Sequence, residues 1–269
     1  MRLALDLHSD LPVEIAFDPG ERVELRELVG LGVHDQVTGG RSGIGEAAAR
    51  AYAEAGANVV ITGRDEQRGE QIVASLTKDG ARARFIRADL ARFEDVRRLA
   101  TKVEHVDVLV NNAGVFPFAP THEVESEEFD ATYAVNVKAP FYLTGAFAPR
   151  MAADGGGATV NVTTMVASFG FPGLALYGST KAALELLTKT WAAEYGPQGV
   201  RVNAVAPGPT RTPGTEPMGE GLDQIATTLP LGRPASAQEI ANAALFLGSN
   251  EASYINGAIL AVDGGRTAV

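Results

Sequence analysis

The feature that most constrains the fold of this 269-residue chain is the alternation of short β-branched runs with longer segments of helical pattern from about residue 37 onward. Such alternation is expected of parallel strands that are joined by crossover helices. The runs are mostly apolar, as is typical of strands buried on both faces of a sheet. A first strand is expected near residues 33–38. The six that follow are Val59–Thr62, Arg84–Ile86, Val106–Val110, Ala158–Val162, Val200–Val205 and Ala258–Val262.

Three helical segments between these strands each end before a glycine, which suits the residue just past a helix. They are Glu46–Ala55 before Gly56, Glu66–Asp79 before Gly80 and Thr180–Tyr195 before Gly196. The sequence contains no internal repeat or low-complexity linker. The predicted fold is therefore α/β: a single doubly wound Rossmann-type domain over residues 31–269, with a mostly parallel seven-stranded sheet flanked by helices.

Residues 1–30 do not fit this pattern and are interpreted as an N-terminal extension. Apolar and polar residues alternate there on both sides of the turn signal Asp18–Glu21, which is compatible with a short hairpin. The expected first strand, Val33–Val37, is also unusual, because an unpaired polar group in a central strand costs about 1–3 kcal/mol. Its three polar residues are His34, Asp35 and Gln36.

Charge and composition exclude several classes of function. Acidic residues outnumber basic residues by 33 to 23, and the net charge of −10 disfavours a nucleic-acid partner. The chain has no cysteine, and its four histidines lack close metal-ligand spacing, so we expect neither a disulfide framework nor a metal site. No long apolar run or signal-peptide core is present, so we expect a cytoplasmic protein with no membrane partner.

A glycine-rich segment, Thr38–Gly45, follows the expected first strand and opens an alanine-rich helix. In that context glycines allow the backbone to approach a pyrophosphate at the helix N-terminus. The alternative is a tight strand-to-helix turn without a ligand.

The run Asn111–Gly114 ends a predicted strand, at the sheet edge where ligands of open parallel sheets bind. It is interpreted as part of the wall of an adenine or ribose site. An asparagine-rich turn with a purely structural role explains the run equally well.

Tyr177 and Lys181 are four residues apart, so both side chains are expected on one face of a helix. A tyrosine is a poor acid or base at pH 7, and a neighbouring ammonium group lowers the pKa of the phenol by favouring the phenolate. A pair with this spacing on a solvated helix surface is the alternative.

Taken together, the order and spacing of these motifs resemble the short-chain dehydrogenase/reductase family from residue 37 to about residue 265. Further matching pieces support the resemblance, and Thr164 precedes Tyr177 by thirteen residues. These pieces are Asp89-Leu90, Asn136-Val137-Lys138, Thr164, Pro207-Gly208 and Asp263-Gly264-Gly265.

The resemblance implies a catalytic set of four residues. Tyr177 would be the general acid in carbonyl reduction and the general base in alcohol oxidation. Lys181 would hold the nicotinamide ribose and lower the pKa of Tyr177, and Asn136 would anchor a water that relays protons. Thr164 occupies the position where the family normally has serine. Because Thr163 and Thr164 are neighbours at a strand end, only one can face the site, and the spacing selects Thr164.

The same resemblance implies a dinucleotide site and requires no metal. Asp89 would contact the adenine, Asn112 and Gly114 would line the adenosine side, and Thr210 and Thr212 would secure the nicotinamide end. The full set of implied cofactor-binding residues comprises Gly39, Arg41, Ser42, Gly43, Ile44, Gly45, Arg64, Asp89, Leu90, Asn112, Ala113, Gly114, Tyr177, Lys181, Pro207, Gly208, Thr210 and Thr212.

The end of the second strand favours NADP(H) over NAD(H), although NAD(H) stays possible. An NAD-preferring relative would carry an acid there, but this chain has Gly63 followed by Arg64. Arg64, together with Arg41, would bind a 2′-phosphate through charge-assisted hydrogen bonds. The alternative is a solvated arginine at a strand end.

The leading hypothesis is an NADP(H)-dependent oxidoreductase acting on a ketone or secondary alcohol. The alternative is a dinucleotide-binding sensor or scaffold protein without turnover. The apolar helix Ile240–Leu247 and the resemblance suggest a homotetramer. The loop segments Phe116–Phe118 and Phe169–Phe171 suggest a moderately apolar substrate, whose identity no motif specifies.

Overall fold

A computed structural model of the chain describes residues 28–33 and 43–269. The strands in chain order are β1 Leu28–Val33, β2 Val59–Gly63, β3 Ala83–Arg87, β4 Val108–Asn111, β5 Gly157–Val162, β6 Val200–Pro207, β7 Thr210–Arg211, β8 Ala235–Ser236 and β9 Ile259–Val262. The helices are α1 Gly43–Glu54, α2 Glu66–Lys78, α3 Phe93–Lys102, α4 Ser126–Tyr133, α5 Ala139–Ala153, α6 Ala175–Tyr195, α7 Glu220–Ala226 and α8 Ala237–Gly248.

Seven of these strands form one parallel sheet in the order β3-β2-β1-β4-β5-β6-β9, and β7 pairs with β8 separately. The predicted α/β class and doubly wound sheet are confirmed. Strand order reverses between β1 and β4, and open α/β sheets bind ligands outside the carboxyl ends of their strands at such a switch point. The topology therefore indicates where a site should lie.

The first strand lies earlier in the chain than the sequence pattern predicts. Strand β1 covers Leu28–Val33, and Leu28 is in register with Val59 of β2 and Val108 of β4. Apart from Val33, the predicted segment 33–38 lies outside the described residues, and the segment Leu28–Val33, which has no polar side chain, suits a strand that is paired on both sides.

His34, Asp35 and Gln36 therefore follow β1, outside the described residues. The hairpin considered around the turn signal Asp18–Glu21 also lies outside the described residues. The division of the chain after residue 30 stays a prediction, except that the first strand begins before it, at Leu28.

The other six predicted strands and the three predicted helices are all present, with shifted ends. Helix α6 begins at Ala175 instead of Thr180, which places Tyr177 within it. Gly56 and Gly80 have φ of +93° and +90°, as predicted for residues past a helix end. Gly196 was assigned wrongly: its φ is −54°, and Gly199, after one further turn, has the positive φ of 83°.

Two hydrophobic layers cover the faces of the sheet. Val108 and Val110 of β4 pack with α1 and α8 on one face, while Leu109 packs with α3, α5 and α6 on the other. Burial of a large apolar side chain contributes roughly 1.5–3 kcal/mol. Both layers are therefore needed to hold the carboxyl edge of the sheet in place.

Candidate active site

Several predicted site residues converge at the carboxyl edge of the central strands. Asn112 to Gly114 follow β4, Thr164 follows β5, and Gly208 follows β6. The N-terminal part of α6 brings Tyr177 and Lys181 to the same edge. These residues come from four elements, and only the parallel sheet brings them together.

Tyr177 and Lys181 lie on one face of α6. The Nζ atom of Lys181 is 5.9 Å from the centroid of the Tyr177 ring and donates a hydrogen bond of 2.8 Å to the carbonyl oxygen of Val162. Lys181 is only 2% exposed, so its ammonium group is held at the end of β5. The lysine thus ties α6 to the strand that precedes Thr164.

Burial dominates the pKa values of this pair. It raises the pKa of Tyr177 to about 12, and a hydrogen bond with the Thr164 hydroxyl partly opposes that rise. Burial also lowers the pKa of Lys181 to about 8. The sequence predicted that the ammonium would lower the pKa of Tyr177; in this structure the pKa is raised instead, because desolvation disfavours the phenolate.

Thr164 is the threonine that faces Tyr177. Its hydroxyl lies near enough to the Tyr177 hydroxyl to lower the pKa of that phenol, whereas the Thr163 hydroxyl donates to the carbonyl oxygen of Val205 at 3.2 Å. The two neighbours point in different directions, as alternation along an extended segment requires. Ser168, the nearest other hydroxyl residue along the chain, lies at the end of the short helical turn Met165–Ala167 and is exposed.

Asn136 is fully buried in a short π-helical segment, Ala134–Lys138, between α4 and α5. Its Nδ2 donates to the Val115 carbonyl oxygen at 2.9 Å and to the Thr180 hydroxyl at 3.0 Å, and its Oδ1 accepts from the Val115 amide at 2.9 Å. Single π-helical turns often occur at functional sites. Here the wider turn carries a side chain that joins the loop after β4 to α6.

Gly114 completes the contact between these groups. A Cβ atom at this position would lie 3.3 Å from Lys181 Nζ and 3.4 Å from Asn136 Oδ1. A larger residue would therefore press on both side chains. The glycine lets the loop after β4 pass directly over the lysine.

A buried hydrogen-bond chain that the sequence analysis did not assign supports this edge. Asn111 Nδ2 donates to Asn161 Oδ1 at 2.8 Å and to the Thr144 hydroxyl at 3.3 Å, and Asn161 Nδ2 donates to the Thr188 hydroxyl at 2.8 Å. It connects α5, β4, β5 and α6. The signal that could have revealed it was Asn161 inside one predicted buried strand and Asn111 directly after another, since buried polar groups need partners.

The predicted cofactor residues divide into those that the structure describes and those that it does not. Gly39, Arg41 and Ser42 lie outside the described residues. Gly43, Ile44 and Gly45 form the first turn of α1, and a Cβ at Gly43 would lie 3.1 Å from the Thr212 Cβ. The glycine segment thus meets the loop after β6.

On the β3 side, Leu90 and Ala113 line one small pocket with Thr62, Val135 and other residues. Asp89 holds the turn after β3, because its carboxylate accepts a hydrogen bond from the Ala91 amide at 3.1 Å. Asp89 stays the residue predicted to contact the adenine.

Arg64 occupies the turn between β2 and α2. Its carbonyl oxygen accepts a hydrogen bond from Arg87 Nε at 3.3 Å, and the next residue, Asp65, caps α2 by accepting from the Arg68 amide at 3.0 Å. These contacts hold the backbone of Arg64 at the carboxyl end of β2.

Beyond β6, Gly208 passes close to Asp263, where a Cβ would lie 2.7 Å from the Asp263 Cα. The Thr210 hydroxyl donates to the Gly208 carbonyl oxygen at 2.9 Å, and the Thr212 amide donates to the Thr215 hydroxyl at 3.0 Å. Local hydrogen bonds therefore hold Thr210, in β7, and Thr212, directly after it, beyond the end of β6 at Pro207.

The residues present fit a dinucleotide. Lys181 has one acceptor, the Val162 carbonyl, among the described residues, and an ammonium group has three donors, so two remain for ribose hydroxyls. Gly43 and Gly114 let their backbone segments pack closely against Thr212 and Lys181, which keeps these residues together at the carboxyl edge of the sheet. Within the described ranges, no cluster of three potential metal ligands is found, and no helix has the length and apolar character needed to cross a membrane.

Several known proteins are similar to this chain over most of its length. Residues 39–267 match the family model described as enoyl-(acyl carrier protein) reductase. An uncharacterised oxidoreductase of Thermotoga maritima is 39% identical over 242 residues, which cover 87% of this chain and 96% of that protein. A cyclopentanol dehydrogenase of Comamonas testosteroni is 35% identical over 239 residues, which cover 86% of this chain and 96% of that protein.

Solved structures extend the comparison. A short-chain dehydrogenase/reductase family protein is 49% identical, with a TM-score of 0.83, and the match covers 93% of this chain and all of that one. A gluconate 5-dehydrogenase from Burkholderia cenocepacia, in complex with NADP and tartrate, is 31% identical with a TM-score of 0.83, covering 92% of this chain and 96% of that one. The chain belongs to the short-chain dehydrogenase/reductase family of oxidoreductases.

Proposed function

We propose that this protein is an NADP(H)-dependent oxidoreductase that interconverts a ketone and a secondary alcohol, with Tyr177 as general acid and base. The observation that carries the proposal is the contact group at the carboxyl edge of the sheet. The Thr164 hydroxyl lies beside the Tyr177 hydroxyl, and Lys181 lies on the same face of α6 as Tyr177, with two donors left for a ligand. Such an arrangement places a proton donor, a hydrogen-bond donor and a cation around one small volume.

Bound there, the nicotinamide supplies the hydride that the carbonyl carbon accepts. Tyr177 transfers its proton to the carbonyl oxygen, so that the ketone becomes an alcohol and the tyrosine becomes a phenolate. With a pKa of about 12, the phenol carries its proton at neutral pH and can donate it. The Thr164 hydroxyl donates a hydrogen bond to the same substrate oxygen.

Lys181 has two tasks in this proposal. Its free donors hold the nicotinamide ribose hydroxyls, and its positive charge favours the Tyr177 phenolate that forms during turnover. Asn136 fixes the loop after β4 against α6, beside the lysine. The proton that Tyr177 loses returns through Lys181 and a water held near Asn136.

Preference for NADP(H) is supported by the end of β2. Gly63 closes the strand and Arg64 follows it, so the position lacks the carboxylate that would bind a ribose 2′-hydroxyl. An arginine there offers a charge-assisted fork for a 2′-phosphate. The NADP bound in the gluconate 5-dehydrogenase structure is consistent with this preference.

The names of the relatives indicate the broad class of substrate. One relative is named for a cyclic alcohol and another for a sugar acid, so this chain is expected to act on a small-molecule alcohol or its ketone. Phe116 stacks edge-on against the Tyr177 ring, with centroids 5.7 Å apart, and is 46% exposed. An apolar wall next to the proton donor favours a substrate with hydrocarbon beside the carbonyl.

A homotetramer in the cytoplasm is proposed from the family. The apolar helix Ile240–Leu247 is weak evidence for this assembly. Ile240, Ala241, Ala244 and Leu247 of α8 are buried in the chain's own core, and Phe246 is 37% exposed. Exposed aromatic residues on α5, Phe141 and Tyr142, are better candidates for an interface.

The test is a panel of ketones and secondary alcohols assayed with NADPH or NADP by nicotinamide absorbance, on the parent and on Tyr177→Phe. We expect Tyr177→Phe to bind NADPH nearly as well as the parent and to lower turnover at least about 100-fold, because only the proton donor is lost. Retention of most activity would remove Tyr177 from the mechanism. NADPH binding without turnover of any panel member by the parent would favour a sensor or scaffold role.

A further inference from the structure

A cationic side chain packs on the loop that connects Thr164 to Tyr177. The guanidinium carbon of Arg266 is 5.1 Å from the centroid of the Phe169 ring, and Phe169 lies in the middle of that loop. Arg266 comes from the segment after β9, far away in the sequence. An open cleft of about 330 Å³ lies at this contact, lined by Ser168, Phe169, Arg266, Thr267 and Val269.

The backbone that carries Arg266 is held firmly. The carboxylate of Asp263 accepts hydrogen bonds from the Gly265 amide at 2.9 Å, the Thr267 amide at 2.9 Å and the Thr267 hydroxyl at 2.6 Å. Asp263 is only 5% exposed, so its charge is used within the turn. In the part of the chain that the structure describes, no carboxylate forms an ion pair with Arg266.

The chemistry of this contact favours an anion. A guanidinium packed on an aromatic ring keeps its planar edge of N–H donors available, and that edge matches both oxygens of a carboxylate. The chain carries a net charge of −10, so an anionic substrate needs a local cation to offset long-range repulsion. Ser168 adds a hydroxyl on the same cleft.

We infer that Arg266, supported by Phe169 and Ser168, binds a carboxylate on the substrate, at the end opposite the reacting carbonyl. The inference rests on the proposed function of Thr164 and Tyr177. Ser168 is four residues from Thr164 across a 3-10 turn, a separation of about 8 Å at ~2 Å per residue. The carboxylate is therefore separated from the carbonyl by several bonds, which makes the substrate class the oxo acids and the corresponding hydroxy acids.

The experiment compares oxo acids with their methyl esters. 4-Oxopentanoate, 5-oxohexanoate and 6-oxoheptanoate and their esters are assayed with NADPH on the parent, Arg266→Gln, Arg266→Lys and the control Arg82→Gln. Arg82 is exposed on the turn before β3, at the amino end of the sheet. Each acid is also titrated by calorimetry into the complex of the enzyme with the oxidised cofactor NADP, which cannot reduce a ketone, so that binding is measured without turnover.

For at least one acid we expect a kcat/KM about tenfold or more above that of its ester in the parent. Arg266→Gln should lower the acid-to-ester ratio about 10- to 100-fold and weaken binding of the acid similarly, the scale of a hydrogen bond to a charged group. Arg266→Lys should recover part of the ratio, and Arg82→Gln should leave it unchanged.

Three results would overturn the inference: no acid preferred over its ester in the parent, equal losses for acid and ester in Arg266→Gln, or weakened NADPH binding in that variant, which would assign Arg266 to the cofactor. A failure of the proposed function would give a different result in these assays. In that case neither acids nor esters turn over, while calorimetry still decides whether Arg266 binds the carboxylate.

Discussion

Replacing Lys181 with methionine removes a buried charge and leaves a side chain of similar length. Burial lowers the pKa of Lys181 from 10.5 to about 8, so at pH 7 its protonated form costs the folded state about 3 kcal/mol relative to the unfolded chain. The variant also loses the 2.8 Å hydrogen bond to the Val162 carbonyl, which is worth about 1 kcal/mol. The net expectation is a free energy of unfolding that is higher by about 2 kcal/mol at pH 7.

The pH dependence distinguishes this explanation from better packing. Because the folded pKa of Lys181 lies below the unfolded value, the penalty is fully present below about pH 8 and disappears as the pH rises towards 10.5. The stability gain of Lys181→Met should therefore be largest at or below pH 7 and fall from about 2 kcal/mol to about 0.5 kcal/mol near pH 9.5.

The assay is urea or thermal unfolding of the cofactor-free protein at a fixed concentration, at pH 7 and at pH 9.5. A gain of about 2 kcal/mol corresponds to a Tm increase of roughly 4–8 °C for a domain of this size. Lys189→Met, at an exposed lysine on the same helix, is the matched control and should change the free energy of unfolding by less than about 0.5 kcal/mol. A variant less stable than the parent at pH 7, or an equal gain at both pH values, would refute the reasoning. The same variant should be nearly inactive, which would identify Lys181 as a residue whose charge is kept for function at the expense of stability.

Four further outcomes are expected. The kcat/KM for ketone reduction should fall above about pH 8, measured as a pH profile, as Lys181 loses its proton, and a flat profile up to pH 10 would contradict that role. Thr164→Ala should lose about 2–4 kcal/mol of transition-state stabilisation in kcat/KM, whereas Thr164→Ser should keep activity and Thr163→Ala should change it little; equal effects of both alanine variants would sink the assignment. NADPH should bind about 1.5–3 kcal/mol more tightly than NADH by titration, and Arg64→Ala should remove most of that gap; an NADH preference in the parent would reverse the assignment. Light scattering should give the mass of a tetramer, and a monomer at micromolar concentration would argue against the proposed assembly.

Local patterns in the sequence were sufficient wherever neighbouring residues decide the outcome. Six of the seven sheet strands follow from runs of β-branched residues, because strand formation and two-sided burial depend on the residues of the run itself. Tyr177 and Lys181 share a helix face because of their spacing alone. The opposite directions of Thr163 and Thr164 likewise follow from alternation in extended backbone.

The position of β1 required the tertiary structure. The sequence pattern predicts the first strand directly before the glycine segment. In the structure, Leu28–Val33 is the segment that pairs with both β2 and β4. A strand in the middle of a sheet is chosen by its partners as well as by its own residues. The sequence alone contains no measure of that pairing.

The electrostatics of the site also depended on packing. The sequence predicts a lowered pKa for Tyr177 because it shows a lysine nearby, whereas burial by distant segments raises that pKa to about 12. In the same way, Asn136 reaches Val115 and Thr180, and Arg266 reaches Phe169, across long stretches of chain. Composition and spacing name the chemical groups of a site, but desolvation and long-range contacts decide their charges and partners, because both arise only when separate elements pack together.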